Sequence, residues 1–331
     1  MKRFAAVVAS LAIISLSIWF TASRDTAQER GEDGGSGDAG FVLACSADLQ
    51  ALCEDLATLA DGLSVTVVAP DATVASYLAG EGPDAWLTAA PWPGILQTRA
   101  TVAGTPRSLV GADDGLAQQT VDLVVTEGWR SALATRCGDP VDWVCLVDAV
   151  GRPAAELGAA TNGVFKLGIA QPTGIDGVAA LGAALHGWFT SPSVNLAAYD
   201  RLDFEDRFAV PLSTLRRNGG NDRDPFNLVV TRPGTYGATL TLGGQRRLTD
   251  LADLGRDDLT LRVLALQSTA TARLVLVAPT EAARSEAFRR IGRDDIVERA
   301  AQHGWSAADD SPAGLPDPAL LDLLITKWMD R

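Results

Sequence analysis

From residue 41 to residue 88, short apolar runs alternate with helical patterns, and this alternation restricts the fold more than any other feature of the chain. Residues 41–44 read as a buried strand and Ser46 as an N-cap. Leu49, Leu52, Cys53, Leu56 and Leu59 then fall at helical spacing until Asp61-Gly62 breaks the pattern. The run SVTVVA at 64–69 is β-rich, Pro70-Asp71 turns the chain, 72–78 predicts a short helix ending at Gly80, and 85–88 is a third strand. Strand, helix, strand, helix, strand with short loops and fully apolar strands predicts a parallel sheet with helices on both faces, an α/β fold.

The rest of the chain adds to this. Strands are expected at 121–125, 164–170, 227–231, 238–242, 261–266 and 273–278. Helices are expected at 129–137, along the face Ile175, Val178, Leu181, Leu185 and Trp188, and at 208–216. Thr280 should cap a helix through Ile291, with a break at Gly292 before a continuation toward His303. Asp317-Pro318 should open a last helix carrying Leu320, Leu321, Leu324 and Trp328. No internal repeat is visible.

Met1-Lys2-Arg3 precedes 17 uncharged, mostly apolar residues (4–20), and Thr21-Ala22-Ser23 resembles a cleavage site. A cleaved signal peptide (1–23) and an uncleaved membrane anchor both fit. Either places the chain after about residue 24 outside the cytoplasm. No cysteine follows closely enough for a lipid anchor. Residues 24–40, with five Gly and five acids, form an acidic flexible linker. The four cysteines suit an exported chain. Cys45 with Cys53 and Cys137 with Cys145 are the natural disulfide pairs of three possible connectivities, four reduced thiols being the other reading.

The formal charge of −13 excludes a phosphate-gripping nucleic-acid binder and adhesion to anionic headgroups. The two histidines, His186 and His303, leave little room for a His-rich zinc site, although carboxylate metal sites stay open. No metal or cofactor site is expected. Neither a Gly-x-Ser-x-Gly elbow nor a Walker A loop occurs, and the adjacent acid pairs, such as Asp113-Asp114, read as solvated turns, so the chain is not expected to be an enzyme.

Five stretches carry a resemblance: DAWLTAAPWPGIL (84–96), WRSALATRCGDPVDWVCLVDAVG (129–151), FKLGIAQPTGIDGVAALGAAL (165–185), RPGTYGATLTLG (232–243) and AAQHGWSAADDSPAGLPDPALLDLL (300–324). With the order of elements, they resemble the type 2 periplasmic, or extracellular, solute-binding family over about 41–327. Some members carry a C-terminal von Willebrand factor A domain. None is expected here, and metal-dependent adhesion is not carried over. The resemblance implies two α/β lobes joined by hinge crossover strands, lobe I at 41–120 plus 240–331 and lobe II at 121–239, with a ligand in the cleft.

In such a fold, ligands sit beyond the C-terminal ends of strands, near helix N-termini whose free N–H groups favour anions. Three junctions qualify, and they make Ser46, Asp48, Thr88, Trp92, Thr173 and Gly174 candidate ligand residues, with Tyr236 near the hinge return. Ser46 and Thr173 read equally as helix caps, and Trp92 and Tyr236 as packed aromatics. The implied function is capture of a small polar or anionic solute, with an ABC transporter permease as partner. A membrane-tethered interaction module of the same fold is the other expectation.

Overall fold

The computed structural model describes residues 40–59, 62–219, 222–256, 260–309 and 313–330. The apolar segment 4–20 and the linker up to residue 39 lie outside the described residues. Among the described residues no helix is long and apolar enough to cross a membrane.

β1 (Phe41–Ser46) runs parallel to β3 (Ala85–Ala90), with Leu43 opposite Ala85 and Cys45 opposite Leu87, and β2 (Leu63–Val68) lies on the other side of β1. The wholly apolar or small sequence of β3, AWLTAA, suits a strand covered by helices, and Trp92–Val102 and Glu281–Ile291 pack on it. Parallel pairing holds for β1 with β3 and for β5 (Leu167–Gly168) with β6 (Ala238–Leu242), but the sheet is not parallel throughout. β8 (Thr271–Val277) inserts antiparallel between β3 and β4 (Gly115–Thr126). Local sequence carries no mark of which distant strand will be its neighbour.

β4 joins two halves of the sheet. Its residues 115–120 pair with β8, and Ala117 and Gln118 also pair with β9 (Ser306–Ala307). Residues 121–125 pair with β6 (Ala238–Leu242) and 123–126 with β7 (Leu261–Leu264). β5 (Leu167–Gly168) extends this second half parallel to β6. One continuous strand thus passes from one layer of pairing into another, as a crossover strand must.

Two expected strands change. Of 164–170 only the two residues of β5 form a ladder, and Val164 makes a lone bridge to Pro153. Residues 227–231 belong to the helix Pro225–Thr231 instead. There Asp224 accepts the Asn227 N–H at 3.0 Å and Pro225 supplies a preset first helical position. This start outweighs the β-branched Val229 and Val230, which pack with Phe226 against Val124, Tyr236 and Leu261.

Both disulfides form as paired above, with Cα separations of 6.2 Å for Cys45–Cys53 and 5.3 Å for Cys137–Cys145. The second closes a loop whose Val141 bonds through its backbone to Ala265 and Gln267 at 2.7 and 3.0 Å, between β7 and β8. Asp114 is no solvated turn residue. Its carboxylate pairs bidentately with Arg293, both contacts at 2.7 Å, and bonds the buried Arg284. The Arg293 and Arg284 hydrogen bonds hold its carboxyl well below the usual range, against a smaller opposing effect of burial. Gly111 makes room for this cluster. Its φ is +89°, and a Cβ there would lie 2.2 Å from Arg284 Nε.

Candidate functional site

Where β4 crosses between its two sets of partners, a pocket of about 390 Å³ opens. Asp48 and Leu52 come from the segment after β1, and Gln119 from β4. Asp176 comes from the helix Ile175–Thr190, Arg223 and Asp224 from the loop before Pro225–Thr231, Arg247 from the helix Gly244–Asp253, and His303 and Trp305 from the C-terminal region.

Asp48 stands at the centre of this arrangement. It lies in the 3-10 turn Ala47–Leu49, and its Oδ2 accepts the Ile175 N–H at 2.9 Å, at the N-terminus of the helix Ile175–Thr190. The contact needs Gly174, because a Cβ at that position would lie 2.6 Å from Asp48 Oδ1. Burial pushes the Asp48 carboxyl upward, against the lowering influence of the backbone N–H groups it accepts.

Asp176 lies one residue further along the same helix. It accepts the Leu242 N–H at 2.7 Å and the Thr241 hydroxyl at 3.1 Å. Burial raises its carboxyl to about 6. Arg247, 3.9 Å away, acts against that rise and the Asp48 charge adds to it.

Arg247 is itself committed. It grips Asp224 with contacts of 3.0 and 2.9 Å, donates to Thr241 Oγ1 at 2.9 Å, and lies 4.0 Å from the centre of the Phe226 ring. The helix that presents it starts with Gly243 at φ +57° and is held from β4, where Asp122 accepts the Gln245 N–H at 2.9 Å. His303 Nε2 contacts Asp55 at 2.7 Å, and Gln119 donates to the Gly304 carbonyl at 3.3 Å.

Of the seven residues expected from sequence to touch a ligand, Asp48 lines the pocket and Gly174 backs it. Ser46 and Thr88 are fully buried and bonded to each other at 2.7 Å, and Ser46 also accepts the Trp86 indole N–H at 3.2 Å. Their hydroxyls hold β1 to β3 and do not face the pocket. Trp92 is buried at the start of its helix, Thr173 sits half-buried in the turn outside the pocket lining, and Tyr236 donates to Asp222 from within the core. Asp176, Asp224, Arg247, His303 and Trp305 were missed. They lie far apart in sequence, and the Gly243-Gly244 pair reads as a turn and not as a helix start.

No protein-family model matches the chain, and no curated protein matches it in sequence. Solved structures do resemble it. A periplasmic thiamin-binding protein matches at 10% identity with a TM-score of 0.52, covering 89% of this chain and 97% of that one. The sulfate-binding protein SubI from Mycobacterium tuberculosis H37Rv matches at 15% identity with a TM-score of 0.48, covering 86% and 90%. An ABC transporter solute-binding protein from Thermotoga lettingae TMO, bound with α-D-tagatose, matches at 12% identity with a TM-score of 0.47, covering 87% and 85%. The first likeness shows the fold: the chain has the two-lobed type 2 periplasmic-binding-protein architecture, with β4 as a crossover strand.

Proposed function

We propose that the chain is an extracytoplasmic solute-binding protein that captures a small polar solute between its two lobes and delivers it to an ABC-type importer. The observation that carries this reading is the place of the pocket. It lies at the β4 crossing, lined by side chains that follow β1 and precede β9 on one side and by side chains that follow β5 and β6 on the other. That is where hinge closure can bury a ligand against both halves. We set lobe I at 41–120 plus 270–331 and lobe II at 121–266, because β6 and β7 both pair with the second half of β4, and a return at 240 would divide strands of one sheet. The polar lining, carboxylates and guanidiniums beside an indole, suits recognition and not catalysis. Two disulfides and the basic-then-apolar N-terminus support a location outside the cytoplasm.

A thermal-shift screen of the full chain against sugars, amino acids, amines, vitamins and oxyanions tests the reading. A solute at 100 times its Kd should add about 2.7 kcal/mol of stability. The shift should be lost in Asp176→Asn. No shift from any class would overturn it.

A further inference from the structure

We infer that the pocket selects a solute bearing an organic cationic group, and that Asp48 imposes this choice by standing where an oxyanion would otherwise sit. The inference rests on the pocket being the solute site and names the class of solute it takes.

An anion in such a cleft would use the free N–H groups and dipole at the N-terminus of the helix Ile175–Thr190. That place is filled by the chain itself. Asp48 Oδ2 holds the Ile175 N–H at 2.9 Å, and Gly174 leaves the space for the approach. The other source of anion affinity would be Arg247, which is saturated by Asp224, Thr241 and the Phe226 ring. Arg223 lines the pocket too and, like Asp48, is exposed; with Arg247 it sets two guanidiniums against the three carboxylates of Asp48, Asp176 and Asp224. His303 is turned to Asp55.

What remains is a pair of carboxylates, Asp48 and Asp176, facing one pocket with N–H and hydroxyl donors close by and the Arg247 guanidinium 3.9 Å from Asp176. Burial raises both carboxyls, and the charge of Asp48 raises Asp176 further. An ammonium or amidinium group between them would supply the counter-charge that the site lacks. Trp305 and Leu52 line the same pocket and offer an aromatic and an aliphatic surface to the rest of such a molecule. Those apolar surfaces suit an organic cation and offer nothing to a bare metal ion. The formal charge of −13 draws cations in from a distance.

Titration calorimetry on the full chain tests this with five probes at matched ionic strength: putrescine, agmatine, choline, inorganic sulfate and inorganic phosphate. At least one of the three cations should bind the wild type more tightly than either anion. Asp48→Asn keeps the hydrogen bond to Ile175 but removes the charge, and should weaken that cation roughly tenfold or more. Asp48→Ala empties the helix terminus and should let sulfate bind. Circular dichroism confirms that each variant is folded. Tighter binding of sulfate or phosphate than of every cation, or a folded Asp48→Asn with unchanged cation affinity, overturns the inference. Silence from all five probes overturns it as well. The pocket reading survives that silence if a neutral solute from the broad screen binds and loses its affinity in Asp176→Asn.

Discussion

Replacing Asp176 by Asn removes a charge that the fold keeps at a cost. In the folded chain burial raises the Asp176 carboxyl from an ordinary 3.8 to about 6, so the folded state binds its proton more tightly than the unfolded state does. For a carboxyl raised in this way, the contribution to stability is complete below the unfolded value and is lost as pH rises through the folded one. The rise corresponds to about 3 kcal/mol at 1.36 kcal/mol per tenfold. An amide has nearly the same shape and its oxygen can still accept the Leu242 N–H and the Thr241 hydroxyl. The attraction of Arg247 at 3.9 Å already opposes the rise, so its loss is contained in the same figure. Asp176→Asn should therefore match the wild type near pH 4 and exceed it by roughly 1–3 kcal/mol near pH 7.5. Urea denaturation followed by far-ultraviolet circular dichroism, repeated across that range, reads the difference. A gap that does not vary with pH, or a variant weaker than the wild type at the upper end, would refute the reasoning.

Three further outcomes follow from the packing. Serine in place of either disulfide pair should cost about 2.5 kcal/mol by loop closure over eight positions, measured by denaturant midpoint, with non-reducing peptide mapping confirming the 45–53 and 137–145 links. Asp114→Ala should cost about 2–3 kcal/mol because it strands the buried Arg284, and a cycle with Arg284→Ala should show strong coupling. Because the Asp114 carboxyl is lowered, its contribution stands above the ordinary carboxylate value and fades only as pH falls through the folded one, so the penalty of Asp114→Ala should be unchanged from pH 7 to about pH 5. Gly174→Ala sets a Cβ 2.6 Å from Asp48 Oδ1 and should cost about 1–3 kcal/mol in thermal unfolding while leaving both disulfides intact.

The fold class was readable because periodicity is local: β1, β3 and the helix Ile175–Thr190 announce themselves within a few residues. Caps were read unevenly. Asp317-Pro318 reads as a helix start, whereas the same pair at Asp224-Pro225 is masked by Val229-Val230, which favour a strand. The site was less legible. A hydroxyl at the end of a strand can face a cleft or a neighbour, and for Ser46 the deciding partners, Trp86 and Thr88, lie 40 and 42 positions away. Asp48, which lines the pocket, is legible as a candidate because it follows a strand. Arg247 is not, since nothing near it signals that Asp122, on β4, will cap its helix.

The insertion of β8 between β3 and β4 sets an order of assembly. While the chain is being made, β3 and β4 are available long before residue 271 emerges, and residues 127–270 are produced in the interval. Until β8 arrives, β3 and the first half of β4 each present an unsatisfied edge, which another extended chain could fill. The local loops closed by Cys45–Cys53 and Cys137–Cys145 need no such wait, for each joins residues eight apart. An emerging chain can thus lock its small loops first, while the sheet between β3 and β4 stays open to a chaperone until β8 closes it.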